Sequence, residues 1–348
     1  MKKKRKQIFW LGIVIIMLLS CGGCSGAIVL QSGKEDCVLK IGSSRVDMAE
    51  LKTILLEYKD AYSQNDADID SAAVWKETDE SGATYEEHLF YNYVLDEIVT
   101  LEILQMLAQE GGISLTEEEE KKAAEGAEAY MERLNEATKK YCHATLENAE
   151  QLMKKYALAQ KTIEVLVMGK SQEVSENEAR AITVQIMEFS EASQAQGVLE
   201  QLQQGSSFYQ IYTDVFGEAP KDCTVTRGTL LPVLEEKAYE LKSGETTGVL
   251  EYQDEENGKT YYFILYCVSD YIPELTKTNM ETIQNQKITS YWMPKVEEKR
   301  KELSLYLEEK RLKKEDLEYA DGLEAQFYDT YQQYFEEDAA IEEGTNEN

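Results

Sequence analysis

The chain has 348 residues, of which 66 are acidic and 36 basic, and its formal net charge is -30 at pH 7. A surface this acidic repels phosphate groups, so nucleic acid is excluded as a partner, and it also repels anionic lipid headgroups. The 2 histidines and 6 cysteines stand at wide and irregular spacing, which predicts neither a metal site nor a disulfide framework. The sequence carries no glycine-rich phosphate loop and no nucleophile elbow, and we expect no cofactor.

The first residues are typical of an export signal. A cationic run, Lys2–Lys6, precedes an uncharged apolar stretch over residues 8–19 that is shorter than the roughly 20 residues of a membrane-spanning helix. The tetrapeptide LLSC that ends at Cys21 resembles the bacterial lipobox, whose cysteine is diacylated after cleavage. We therefore expect a signal peptide over residues 1–20 and a lipid anchor on Cys21, with Cys24 as the alternative. An uncleaved anchor helix is the other interpretation, and both place the rest of the chain outside the cytoplasm.

Residues 21–36 are expected to be the lipidated N-terminus and a linker, and residues 37–173 to be a mainly helical region. Apolar and polar residues alternate within residues 37–48 and a turn follows, which indicates a strand or hairpin. A helix is predicted next, over residues 49–62.

Apolar residues recur at helical spacing between Tyr85 and Gln109. Thr116 and Glu119 then form a capping box that starts another helix, because the hydroxyl and the carboxylate can each accept from a free backbone N–H group. Helical periodicity continues over residues 128–168, with almost no glycine or proline.

The pattern changes after residue 173, and residues 174–272 are predicted to form a compact module of mixed helix and strand. Ser175 and Glu178 suggest a second capping box at its start. The predicted elements are a strand at 182–189, helices at 191–204 and 207–216, a strand at 224–226, a helix at 233–241, and strands at 248–253 and 260–268.

Residues 277–336 are predicted to return to helix, and we expect the segment 273–336 to pack on the N-terminal helical region. The acidic tail at 337–348 is expected to be disordered. The fold class predicted from the sequence is therefore α+β, a helical domain built from N- and C-terminal segments with an inserted β-α-α-β-α-β-β module.

The stretch RGTLLPVLEEKAYELKSGETTGVLE, Arg227–Glu251, resembles a parvulin-type peptidyl-prolyl isomerase domain. The stretches VSENEARAITVQIMEF and GSSFYQIYTDVF are similar to the family's first strand and a short helix. The whole layout resembles the extracytoplasmic foldases of the PrsA and SurA type. The resemblance implies a helical chaperone-like domain beside an isomerase module.

Both histidines of the parvulin pattern are missing. The resemblance places the first-strand position at Gln185 and the last-strand position at Phe263 or Ile264, depending on register, and it places the apolar residues of the proline pocket at Leu230 and Leu234. The alternative is that these apolar residues simply pack in a core. No catalytic residue follows from the sequence.

The function expected from these observations is a membrane-anchored extracytoplasmic folding factor for exported proteins, with weak or lost isomerase activity. Its partners would be unfolded or partly folded exported chains, with a preference for basic ones, and the membrane through the lipid anchor. The alternative is a non-catalytic cell-envelope lipoprotein that binds one fixed protein partner.

Overall fold

The computed structural model describes residues 28–30, 37–65, 74–80, 82–255, 257–308, 312 and 322–335. Residues 1–20, Cys21, Cys24 and the acidic tail lie outside these residues. The chain divides into two compact units: the described residues up to Lys170 and from Thr289 onwards form a helical unit, and Ser171–Ile288 form a sheet unit. No helix within the described ranges is long and apolar enough to cross a membrane.

Strands and helices occur in both units. The strands are β1 (Ile28–Leu30), β2 (Leu39–Ile41), β3 (Ser44–Val46), β4 (Ile182–Phe189), β5 (Cys223–Val225), β6 (Leu250–Gln253), β7 (Thr260–Ser269) and β8 (Leu305–Leu307). The helices are α1 (Met48–Asn65), α2 (Tyr85–Leu89), α3 (Leu95–Gly111), α4 (Glu117–Arg133), α5 (Glu136–Tyr141), α6 (Leu146–Val167), α7 (Glu176–Ala179), α8 (Ala192–Gln203), α9 (Phe208–Phe216), α10 (Pro232–Ala238), α11 (Pro273–Glu302) and α12 (Phe327–Phe335). A π-helical turn, Phe90–Val94, joins α2 to α3, so the helix predicted between Tyr85 and Gln109 is confirmed.

A small sheet in the helical unit has the strand order β1-β8-β2-β3. β8 pairs in parallel with β1 and antiparallel with β2, and β2 and β3 form the hairpin that the sequence predicted. The prediction of helix over residues 277–336 is wrong at β8. There Leu305 and Leu307 alternate with Tyr306 and bury one face of the strand, which a helix could not do at this spacing.

Polar caps determine where the helices of the helical unit begin. Thr116 caps α4 and shares both hydrogen bonds of the predicted capping box with Glu119. The periodicity over residues 128–168 does not form one helix, because Asn135 caps α5 and Thr145 caps α6. Each capping side chain accepts a hydrogen bond from a backbone N–H group in the first turn of its helix. In one continuous helix this N–H group would donate to a carbonyl of the preceding turn, so the caps show that the helix is interrupted at these two residues.

The helix α3 buries charged side chains as well as apolar ones. Asp96 forms an ion pair with Arg300 of α11, and Glu102 forms one with Lys155 of α6. The Lys155 ammonium also lies 2.6 Å from a carboxylate oxygen of Glu50 on α1. Since a buried charge is tolerated only beside a partner, these pairs fix helices that come from distant parts of the sequence.

The sheet unit is built on an antiparallel sheet with the strand order β5-β4-β7-β6. α10 packs on one face of this sheet, and α8 and α9 pack on the other. β4 has the bounds that the sequence predicted, and Ser175 caps α7 through the backbone N–H of Glu178. The α+β class predicted from the sequence is confirmed.

Candidate functional site

The structure brings together three of the side chains expected to line a proline pocket. Phe263 on β7, Leu234 on α10 and Leu230 in the preceding loop belong to one apolar cluster between the sheet and α10. Leu234 is 3% exposed and Phe263 7% exposed, whereas Leu230 is half-buried. The three side chains pack within one core cluster, and of the three only Leu230 is partly exposed to solvent.

Gln185 and Ile264 lie on the opposite face of the sheet. Ile264 is fully buried in the cluster under α8 and α9. Gln185 stands opposite Tyr266 of β7, and its Nε2 donates a hydrogen bond to Asp222 Oδ1 at 2.8 Å. Because successive residues of a strand point to opposite faces, Phe263 is the one of the two register alternatives that faces α10.

The neighbours of Phe263 across the sheet are Glu188 on β4 and Leu250 on β6. Glu188 is exposed to solvent. Both histidines of the chain, His88 and His143, belong to the helical unit. The arrangement around Phe263 therefore offers apolar contact to a ligand without a histidine that could exchange a proton with it.

The Arg227-Gly228 pair of the parvulin-like stretch forms a tight turn that positions α10. Gly228 has a φ of 82°, which side chains with a Cβ rarely adopt, and its N–H donates to Glu235 Oε2 at 2.6 Å. The guanidinium of Arg227 lies 3.6 Å from the ring centroid of Tyr239 and donates to Asn177 Oδ1 at 3.1 Å. The most specific motif in the sequence thus has a structural role at the start of α10.

The two thiols of the sheet unit do not form a redox pair. Cys223 on β5 and Cys267 on β7 both stand opposite Val184, on either side of β4. Their Cα atoms are therefore about two strand spacings apart, roughly 9 to 10 Å, which exceeds the roughly 7 Å limit of a disulfide. Burial raises the pKa of the Cys267 thiol, so it is not activated as a nucleophile.

Helix α9 carries an exposed apolar surface that the sequence analysis missed. Phe208 and Ile211 are buried against the sheet, whereas Tyr209, Val215 and Phe216 are 58%, 48% and 39% exposed. We call these three exposed residues the α9 surface. The signal in the sequence was the density of apolar residues in FYQIYTDVF, which exceeds what one buried helix face needs.

A cleft of about 540 Å³ opens where β4 ends and β7 begins. It is lined by Ser190–Ser193 and Lys259–Tyr262, so it offers hydroxyl groups, two tyrosines and one charge of each sign. The ring of Phe189, the buried residue before the cleft, lies 5.8 Å from that of Phe216. Within the described residues, no group of three or more histidine, cysteine, aspartate or glutamate side chains could hold a metal ion.

No protein-family model matches the chain, and the search of curated proteins found no match. Its structural neighbours include PrsA foldases and SurA-like chaperones. A peptidylprolyl isomerase (PrsA) from Bacillus cereus is 15% identical, with a TM-score of 0.34 over 76% of this chain and 100% of that chain. The foldase protein PrsA from Lactococcus lactis is 12% identical, with a TM-score of 0.29 over 71% of this chain and 93% of that chain. A structure described with the SurA-like chaperones PEB4 and Cj1289 of Campylobacter jejuni is 13% identical, with a TM-score of 0.26 over 61% of this chain and 86% of that chain.

Proposed function

We propose that the protein is an exported, lipid-anchored folding factor that holds unfolded exported proteins and has little or no isomerase activity. The observation that carries the proposal is the Arg227–Glu251 stretch. It folds as a turn, helix α10 and the start of β6, in the order expected of a parvulin-like module, while the expected histidine positions hold Gln185 and either Phe263 or Ile264.

Two features of the sheet unit support weak or absent isomerase turnover. Isomerisation must lower a barrier of about 18 to 20 kcal/mol, and an enzyme does so by desolvating and twisting the amide. Leu234 and Phe263 are already buried in the same cluster, so they leave little surface for a proline ring. The histidine pair of the parvulin pattern is also missing from the sheet unit.

The α9 surface and the cleft at the end of β4 support binding of an extended client. Because these side chains are 39% to 58% exposed, a partner that covers them removes only part of their surface from water, which contributes on the order of 1 kcal/mol each, and tyrosine keeps its hydroxyl in water. The acidic side chains Glu191, Asp214 and Glu218 around this region are exposed. Their charge and the net charge of -30 favour basic clients through long-range attraction.

The lipid anchor belongs to the same proposal. It rests on the lipobox-like LLSC sequence at Cys21, with Cys24 as the alternative. Because the acidic chain is repelled by anionic headgroups, the two acyl chains on the cysteine would supply the membrane attachment.

The test is suppression of aggregation of a reduced, unfolded secreted protein, with basic lysozyme and acidic α-lactalbumin as a matched pair. We expect stronger suppression for lysozyme, and a smaller difference at high salt because ions screen the attraction. The double variant Tyr209→Ser/Val215→Ser should bind the unfolded client at least about tenfold more weakly than the parent chain, because two apolar contacts are lost.

The matched control is Tyr85→Ser/Leu146→Ser, which removes side chains of similar exposure, 48% and 46%, from the helical unit. If both double variants suppress aggregation as well as the parent chain, the proposed binding surface is wrong. One stable stoichiometric partner in a pull-down, without suppression of either client, would favour the fixed-partner alternative.

A further inference from the structure

The sheet of the sheet unit ends on one side at β6. This strand pairs with β7, and among the described residues no strand pairs with its other side. The opposite edge strand, β5, is three residues long, and the carbonyl of Val225 in it accepts a hydrogen bond from the hydroxyl of Tyr239 at 3.3 Å. β6 is four residues long, and its residues Glu251 and Gln253 are exposed. β6 is therefore the more open edge of this sheet.

Backbone hydrogen bonds of β7 show which of its residues bond towards β6. In an antiparallel pair, residues whose N–H and C=O groups bond to one neighbouring strand alternate with residues whose groups point to the other side. The carbonyls of Leu265 and Lys259 each accept from a backbone N–H group on the β6 side, at 2.9 and 2.8 Å. Phe263 and Tyr261 lie between them at every second position, so they also direct their backbone groups towards β6.

The register of β6 with β7 then gives the direction of the backbone groups on β6. Leu250 and Tyr252 stand opposite Phe263 and Tyr261, so their N–H and C=O groups bond to β7. Glu251 and Gln253 alternate with these residues, so their N–H and C=O groups point away from the sheet. An antiparallel strand laid beside β6 would exchange two hydrogen bonds with each of these two residues.

The side chains of β6 provide an added strand with one apolar and one polar face. Leu250 and Tyr252 pack against the apolar cluster under α10 and are only half-buried. Val233 of α10 is half-buried against the same cluster. The side chains between Leu250 and Tyr252 and after Tyr252 lie on the opposite face and are exposed. A chain with an apolar residue at every second position would therefore extend the apolar face of β6.

The open edge of β6 is acidic. The segment 245–255 contains Glu245, Glu251, Asp254 and Glu255 and no basic residue. Glu251 and Glu255 are exposed. Opposite charges on neighbouring strands attract and like charges directly opposite each other repel. Charge complementarity therefore selects a strand with lysine or arginine between its apolar residues, and the same charges disfavour pairing with the β6 edge of a second copy.

We propose that the open edge of β6 binds an extended segment of an unfolded client as an added antiparallel strand, with apolar residues at alternate positions and basic residues between them. The inference rests on the holding function proposed above and specifies how the client is recognised, which is through its backbone. A folded protein has its own backbone groups paired, so this edge distinguishes unfolded chains from folded ones. The edge is separate from the α9 surface, because α9 packs on the face of the sheet opposite α10.

The test uses a fluorescent peptide of alternating valine and lysine and measures its anisotropy with the full chain. Gln253→Pro removes an N–H group on the open side and keeps the hydrogen bonds to β7, so it should weaken binding at least about tenfold. Gln253→Ala retains the N–H group and is the matched control, which should bind like the parent chain. With the valines over Leu250 and Tyr252, the lysines direct their N–H groups to β6. N-methylation of the lysines should therefore abolish binding, whereas N-methylation of the valines should preserve it.

Hydrogen exchange on the unmodified chain keeps the inference testable even if Gln253→Pro fails to fold. Saturating peptide should slow exchange of the Glu251 and Gln253 amides at least about tenfold and change those of Leu250 and Tyr252 little, because the latter already bond to β7. Unchanged exchange at Glu251 and Gln253 with the peptide bound would overturn the proposal. A folded Gln253→Pro variant that binds the peptide like the parent chain would overturn it as well, and so would equal effects of the two N-methylated peptides.

The variant Tyr209→Ser/Val215→Ser distinguishes this proposal from the function on which it rests. This variant should bind the alternating peptide like the parent chain, because the β6 edge is intact. Loss of the peptide by this variant, with binding retained by Gln253→Pro, would overturn the edge assignment and leave the holding function standing. Loss of the peptide by Gln253→Pro alone, in a parent chain that suppresses no aggregation, would support the edge and contradict the holding function. A dimer of the parent chain that Gln253→Pro dissociates would overturn the assignment of the edge to a client.

Discussion

Replacing Glu57 by glutamine should remove the part of the helical unit's pH-dependent stability that comes from this buried carboxyl group. Burial raises the pKa of Glu57 from 4.5 to about 8, against the opposing effect of the hydrogen bonds from the N–H groups of Phe327 and Tyr328. Glutamine keeps a carbonyl oxygen for those N–H groups and cannot ionise. The substitution therefore separates the charge of Glu57 from its hydrogen bonds.

The direction in which stability changes with pH follows from the pKa of Glu57 in the unfolded and in the folded chain. Between about pH 4.5 and 8 the folded chain retains a proton on Glu57 that the unfolded chain has released, so this contribution to stability is complete below 4.5 and is lost as the pH rises through about 8. At about 1.4 kcal/mol for each pH unit of difference, full ionisation of the buried carboxyl group costs about 5 kcal/mol. The free energy of unfolding of Glu57→Gln should match that of the parent chain near pH 5 and exceed it by about 3 to 5 kcal/mol near pH 9.

Tryptophan fluorescence during urea unfolding measures this difference in the helical unit alone. Trp75 and Trp292 are buried there, 4% and 3% exposed, and Trp10 lies in the expected signal peptide. Glu118→Gln removes one charge from an exposed position of α4 and is the matched control, which should follow the parent chain. If the parent chain and Glu57→Gln lose stability in parallel from pH 5 to 9, the buried carboxyl group does not carry the effect and the reasoning fails.

Three further substitutions test the sheet unit by hydrogen exchange of β4 and β7 amides. Leu234→Ala should lower its free energy of unfolding by about 2 to 5 kcal/mol, because Leu234 is 3% exposed in the cluster with Phe263; a loss below 1 kcal/mol would show that the cluster is loosely packed. Gly228→Ala should destabilise it by about 1 to 2 kcal/mol because of the φ of 82°, whereas Gly197→Ala inside α8, with no atom within 4 Å of the added Cβ, should stabilise it by up to about 1 kcal/mol. Equal effects of the two glycine substitutions would contradict the strained turn at Gly228.

Local signals in the sequence predicted the parts of the fold that depend on neighbouring residues. β4 was found with its bounds because an apolar run lies between polar and turn residues, and the start of α4 was found because Thr116 and Glu119 stand at capping-box spacing. The hairpin of β2 and β3 follows from the alternation of apolar and polar residues on either side of Gly42. Gly42 has a φ of 57°, which suits it to the turn between the two strands. Each of these features is decided within about ten residues.

Features that depend on distant partners were missed. Leu303, Leu305 and Leu307 alternate as a strand requires, but charged residues surround them and their partner strand β2 lies more than 250 residues earlier. The ion pair of Asp96 and Arg300 joins residues 204 positions apart, which no local pattern reveals.

The candidate pocket shows the same limit. A slip of one residue moves a side chain to the other face of a sheet, so the sequence could not tell which of Phe263 and Ile264 faces α10 until the pairing of β7 with β4 was known. The α9 surface was missed because a periodic pattern identifies apolar residues but not which of them a neighbouring element covers.

The most direct test of a holding factor without turnover compares two activities in one preparation of the chain. Aggregation of reduced lysozyme and protease-coupled isomerisation of a proline peptide would be followed at the same protein concentration. The account predicts suppressed aggregation and isomerisation no faster than in buffer. Rapid turnover that Leu230→Ala abolishes would contradict it by showing a working proline pocket.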